Sequence, residues 1–299
     1  MRTRPRQRHP TRYAGRMTHS GNPFGQVLVA LVTPMTADGE VDWPAVEKHI
    51  DDVITAGADG IVVTGTTGET STLTDPEKLK LVEVGKSVSA GRAKIITGGG
   101  SNETAHAIEL YKASEKAGAD GIMIVTPYYN KPTQAGIVEH FKAVVGATDL
   151  PAMAYDIPGR SGTALASDTI RQLATIDQVR AVKDAKGDFF EATKLMNETD
   201  LLWYSGDDVS NLIWLSLGAV GLVSVVGHVA GNEFRAMIDA VDAGDMTRAR
   251  ELHTRLIPAI DALMNTSQGA IMAKAAMADK GVIDGDFIRL PLLPATDDM

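Results

Sequence analysis

From Gln26 onward, short and almost continuously apolar runs alternate with longer stretches whose apolar residues recur at helical spacing. Eight of the runs are predicted strands: Val27–Val32, Gly60–Thr64, Lys94–Thr97, Gly121–Val125, Ala152–Tyr155, Arg180–Val182, Leu201–Tyr204 and Gly221–Val225. A strand that is apolar at successive positions is covered on both faces, as parallel strands are. Trp43–Ala56, Asp75–Ser89, Glu103–Ala117 and Gln134–Val145 lie between such runs and are long enough to be crossover helices. This order predicts the α/β class and a (β/α)₈ TIM barrel. The alternative is a doubly wound open sheet, but the Gly-rich dinucleotide fingerprint that would support it is missing after the first strand.

A short repeat points the same way. GADGI at Gly57–Ile61 returns at Gly118–Ile122, and LGAVGLV at Leu217–Val223 is related to it. Each copy sets a glycine between a helical stretch and an apolar run, where a left-handed helix C-cap favours a residue without Cβ. Beyond the eighth strand, Asn232–Ala243, Asp245–Met264 and Gly269–Lys280 are predicted helices. One completes the barrel, and the rest are too short for an independent core, so they predict a C-terminal helical appendage. The expected organisation is a basic tail over residues 1–22, a catalytic barrel over 23–243 and the appendage over 244–299.

Composition narrows the chemistry. The 299 residues, 44% of them hydrophobic, suit one barrel, and no run approaches the ~20 apolar residues that cross a membrane. The absence of cysteine excludes disulfides, iron–sulfur clusters, thiolate metal sites and cysteine nucleophiles, and it fits a cytoplasmic protein. The net charge is -9, although Arg2, Arg4, Arg6, Arg8, Arg12 and Arg16 meet no acid in their segment. The body is therefore more acidic than the total, which argues against a nucleic-acid partner. The Arg-rich leader lacks the apolar region of a secretory signal; it is expected to be a disordered tail, or to precede a true start at Met17. The histidines are scattered without ligand spacing, so no metal site is expected, and no Walker-type loop indicates a phosphate substrate.

Barrel active sites form at the C-terminal ends of the strands, so the residues that follow each apolar run are the candidates. After the second run, Gly65-Thr66-Thr67-Gly68-Glu69-Thr70 offers backbone N–H groups and hydroxyls to an anion, or is ordinary loop material. After the fourth come Tyr128 and Tyr129, which either face a site or pack at a loop or subunit contact. Tyr155 ends the fifth run, and the Pro158-Gly159 turn leaves Arg160 to grip a carboxylate or to lie on the surface. Lys183 closes the sixth run. Solvated, it is an ordinary surface cation; desolvated, its neutral amine attacks carbonyls. Gly206 and Val223 supply backbone groups after the seventh and within the eighth run, while Asp207 and Asp208 suit the N-terminus of the next helix.

The motifs GTTGE, VTPYYNKP, YDIPGRSGT, AVKDAKGD and SGDD, in this order, resemble the dihydrodipicolinate synthase family over Phe24 to Thr296, with DIPGRSG and VKDAKGD closest to actinobacterial members. The resemblance implies that Lys183 binds pyruvate as an imine, which becomes an enamine and attacks L-aspartate 4-semialdehyde in the diaminopimelate route to lysine. It also implies a proton relay of Thr66, Tyr155 and Tyr129, a pyruvate-carboxylate contact at Thr67 and a semialdehyde-carboxylate contact at Arg160. No metal or pyridoxal cofactor is implied. Tyr129 would reach into a neighbouring subunit's site, making a dimer the functional minimum and a homotetramer the expected assembly.

Three departures stand out. At the positions where lysine-inhibited members carry acidic and His effector residues, this chain has Asp75, Lys78 and His106, with Asn102 and Tyr128 retained, so weak or absent lysine feedback is expected. The chain ends soon after LPLLPATDD where family members continue through another helix, so a weaker appendage is expected. The basic tail has no family counterpart. The rival readings are N-acetylneuraminate lyase or a 2-keto-3-deoxy sugar acid aldolase, which share the Lys and Tyr, and a non-catalytic barrel, which would be expected to have lost them.

Overall fold

The computed structural model describes residues 21–98 and 100–299; residues 1–20 of the predicted basic tail, 1–22, lie outside them. The strands are β1 (Val27–Ala30), β2 (Gly60–Val63), β3 (Lys94–Thr97), β4 (Gly121–Val125), β5 (Ala152–Asp156), β6 (Val179–Asp184), β7 (Leu202–Ser205) and β8 (Gly221–Ser224). They pair in sequence order, and β8 pairs with β1 to close the barrel. All pairings are parallel, as the run of buried residues in each strand demands.

The outer helices are α1 (Trp43–Thr55), α2 (Asp75–Ser89), α3 (Thr104–Lys116), α4 (Gln134–Val145), α5 (Pro158–Ser161), α6 (Ser167–Leu173), α7 (Phe189–Glu198), α8 (Asn211–Leu217) and α9 (Gly227–Asp242). α10 (Met246–Ile260) and α11 (Gly269–Asp279) follow the barrel. The GADGI repeat has a concrete cause. Gly57, Gly118 and Gly218 have φ of 98°, 98° and 105°, a region costly for any side chain. The aspartates of the first two copies bind the start of the preceding strand. Asp59 accepts from the N–H groups of Gln26 and Val27, both at 2.8 Å, and Asp120 accepts from Ile95 at 3.0 Å.

Strand alternation sorts the side chains. Leu28, Ala30, Val62, Ile96, Met123, Met153, Tyr155, Ala181, Tyr204 and Val223 point inward and fill the barrel. Phe24 and Tyr204 close its lower end, with ring centroids 6.4 Å apart at 85°. The alternate positions, such as Val29, Ile61, Ile124, Val182 and Trp203, pack outward beneath the helices.

Two boundaries differ from the sequence reading. The helix expected from Asn232 begins at Gly227 and bends at Ala230, whose φ of -142° breaks the helical path. Its start is set by Ser224 Oγ, which accepts from the Gly227 N–H at 2.7 Å. The helix expected over Asp245–Met264 is α-helical only to Ile260 and widens to a π-turn over Asp261–Asn265. Pro258 lies within it and has no N–H to give to the regular ladder.

Candidate active site

One cavity of about 240 Å³ opens at the C-terminal end of the barrel, lined in part by Thr66, Thr67, Tyr155, Arg160, Lys183, Gly206 and Val223. Seven of the eight candidate residues therefore meet. The parallel register decides the central pair: Tyr155 of β5 lies directly beside Lys183 of β6. Both point inward, and Lys183 Nζ sits 4.0 Å from the centre of the Tyr155 ring.

Lys183 is inside the strand rather than beyond it, only 5% exposed. Burial lowers its pKa to about 7; Asp208 and Asp207 oppose the shift and Arg160 adds to it. The amine is thus substantially neutral near pH 7, where an ordinary lysine is almost wholly protonated. Burial also raises the Tyr155 phenol, with Arg160 opposing and Asp207 adding, so Tyr155 keeps its proton.

The strand neighbours of this pair point the other way and hold the loops. Asp184 accepts from the N–H groups of Lys186 at 2.8 Å and Gly187 at 3.0 Å. Asp156 accepts from the Leu165 N–H at 3.1 Å, and Lys186 Nζ lies 3.4 Å from its second oxygen. Burial raises the Asp156 pKa to about 6, the backbone bond and Lys186 opposing. Arg160 sits on the single turn α5, which Pro158 starts and Gly162, at φ 74°, ends. Its exposed guanidinium borders the cavity at its rim.

Asp207 behaves as the sequence indicates, capping the turn over Asp208–Ser210. Asp208 does something else. Fully buried, it accepts from Val225 and Val226 N–H at 2.8 and 2.9 Å and from Asn211 Nδ2 at 2.8 Å. It ties the β7 loop to the end of β8 and lines the same cavity as Lys183.

Residues 23–299 match the model of the dihydrodipicolinate synthetase family. The chain belongs to this family. It is 49% identical to 4-hydroxy-tetrahydrodipicolinate synthase of Kineococcus radiotolerans over 92% of this chain and 89% of that one. Its fold is similar to dihydrodipicolinate synthase of Bacillus anthracis, with 41% identity, a TM-score of 0.88, and 92% and 94% of the two chains covered. The enzyme of Cyanidioschyzon merolae, solved with lysine bound, is similar at 42% identity and a TM-score of 0.89, covering 92% and 94%.

Among the eight candidates, Tyr129 stands apart from this cavity. It is 90% exposed, takes a φ of 72°, and borders a shallow outer depression with Tyr128, Lys131 and Arg160. Asn102 holds its turn by donating to the Tyr128 carbonyl at 3.2 Å. Met264 and Asn265, from the π-turn of the appendage, also line the cavity and escaped the sequence reading. No local signal marks them, since a helix that folds back onto the barrel mouth is a tertiary event. Among the described residues, no group of His, Asp or Glu is arranged to hold a metal ion, and no helix is long and apolar enough to cross a membrane.

Proposed function

We propose that this chain condenses pyruvate with L-aspartate 4-semialdehyde as a 4-hydroxy-tetrahydrodipicolinate synthase, with Lys183 as the covalent catalyst. The observation that carries the reading is the buried Lys183 amine, brought to a pKa of about 7 beside the Tyr155 ring in a cavity rimmed by Arg160. A neutral amine adds to the C2 carbonyl of pyruvate; the carbinolamine then loses water to leave the imine. Both steps move protons, and Tyr155 is the protonated group beside the nitrogen. Thr67 and the turn N–H groups receive the pyruvate carboxylate. Loss of a C3 proton gives the enamine, whose carbon attacks the semialdehyde aldehyde. Arg160 receives the second carboxylate from the rim. Attack of the semialdehyde's amine on C2 closes the ring and frees Lys183.

Thr66 extends the relay to Tyr129, which we assign to the cavity of a second copy. Its exposure in a single chain and its place beside Arg160 support that assignment. The reading implies a homotetramer in the cytoplasm and no metal or pyridoxal cofactor, since the protonated imine formed on Lys183 itself provides the electron sink.

Borohydride trapping tests this reading. With pyruvate, a reduced adduct is expected on the peptide carrying Lys183, and semialdehyde should discharge the imine before reduction. An adduct that semialdehyde fails to discharge would indicate a sugar-acid aldolase; no adduct would remove the Schiff-base assignment. The lowered pKa makes the neutral amine the species that grows as pH rises. Trapping at subsaturating pyruvate should therefore rise with pH up to about 7 and flatten above it. A profile still climbing at pH 9 would mean that the lysine is not desolvated.

Weak lysine feedback has structural support. His106 Nε2 lies 2.7 Å from Asp75, and Lys78 Nζ lies 3.0 Å from the same carboxylate. Asp75 is held below the usual carboxylate range chiefly by His106. Polar groups already paired offer little to an added amino acid. A lysine titration should give an inhibition constant above about 1 mM; tighter inhibition would show that the pairs open for the effector.

A further inference from the structure

The loop that carries Thr66 and Thr67 is clamped from behind by the C-terminal appendage. The loop closes on itself: the Gly68 N–H donates to Gly65 and the Glu69 N–H to Thr66, each at 3.1 Å. Thr33 Oγ1 donates to the Gly68 carbonyl at 2.8 Å from the β1 side. Glu69 ends the loop in the left-handed region, at φ 61°, which side chains adopt only when their surroundings hold them there.

Its carboxylate turns away from the cavity into a buried cradle. Lys274 of α11, itself fully buried, forms an ion pair with Glu69 and donates to the Phe287 carbonyl at 2.7 Å. The backbone N–H of Arg289 donates to the other Glu69 oxygen at 3.0 Å. The Arg289 side chain then fastens the segment to the barrel: it reaches the Gly39 carbonyl at 2.9 Å, the Thr72 carbonyl at 2.9 Å, and Glu77 at 2.6 and 3.0 Å. Arg289 holds Glu77 at a pKa of about 2, so this outer pair persists through the working range of pH.

We propose that Glu69, Lys274 and Arg289 form a positioning clamp through which the C-terminal appendage sets the Thr66–Thr67 loop against Lys183, and so sets affinity for the pyruvate carboxylate. This rests on the condensation reading above. The clamp touches no reacting atom; it acts through the two threonines. A buried ion pair is a poor source of net stability, because desolvation of both charges offsets most of their attraction. A fixed loop geometry is what this pair supplies: one Glu69 oxygen is ion-paired with Lys274 and the other accepts from the Arg289 N–H, which fixes the side chain's orientation.

The test is the double variant Glu69→Gln/Lys274→Met, which removes both charges together and leaves neither buried alone. The measurements are the pyruvate KM, the semialdehyde KM and kcat, with borohydride trapping at Lys183. Expected are a rise in pyruvate KM of about tenfold or more and slower trapping, with semialdehyde KM near the parent value, because Arg160 stands on a different loop. Glu69→Asp keeps the charge but draws it back by one methylene; it should fold even where the double variant does not, and show the same selective rise in pyruvate KM. Parental pyruvate KM in either folded variant would overturn the clamp. If the parent protein forms no trapped adduct, the condensation reading falls and the clamp with it. If the parent traps and the variants match it, only the clamp falls.

Discussion

Lys183→Ala is expected to lower kcat by about 10⁴-fold or more, since it removes the group on which the covalent intermediate forms. The loss should appear in kcat and kcat/KM alike, and no pyruvate-dependent adduct should survive reduction. The same variant should fold. Lys183 is buried and its pKa is depressed from 10.5 to about 7, so its charged form is disfavoured in the folded chain. Between these values the unfolded state binds more protons, and the contribution of Lys183 to stability rises with pH. Below about pH 7 the folded protein carries a buried ammonium at a cost. A Lys183→Met variant, which fills the same space without the charge, should therefore melt at or above the parental temperature at pH 6. Measuring kcat and melting temperature together separates the loss of chemistry from the loss of fold.

Tyr155→Phe should lower kcat by about 10²- to 10⁴-fold, the usual range for a positioned proton-transfer group. The ring that faces Lys183 at 4.0 Å remains, so packing in the barrel interior is retained. The phenol is lost, and with it the protonated group that burial keeps beside the amine. Imine formation should slow without vanishing, because water can carry protons inefficiently. Steady-state kinetics beside the trapping rate check this. A Phe variant within threefold of the parent would assign the proton transfers to another group.

Several positions show how far local pattern reaches. Lys183 and Tyr155 were legible as candidates because each closes an apolar run, and a barrel presents such ends at one mouth. Their neighbour relation was not legible, since it depends on the β5–β6 register. Arg160 was legible from the Pro-Gly turn before it, and the one-turn helix it sits on follows from Pro158 and Gly162. Asp208 was misjudged by half. Its place after a strand predicts a cap, whereas its side chain goes inward to the end of β8, which no spacing in the chain records.

The sequence by itself determined the eight strands, their order, the left-handed glycine turns between them and the list of polar residues at their C-terminal ends. Each of these is encoded within one element or one turn, by apolar period or by a backbone angle that only glycine takes easily. Tertiary structure alone decided what those residues became. The depressed pKa of Lys183 needs the desolvation that a closed barrel imposes. Met264 and Asn265 reach the cavity only because the appendage folds back on the barrel mouth. The bond between Arg289 and Glu69 joins residues 220 positions apart. Contacts at that separation carry no local signature, because burial and pairing are set by the elements brought alongside and not by the segment itself.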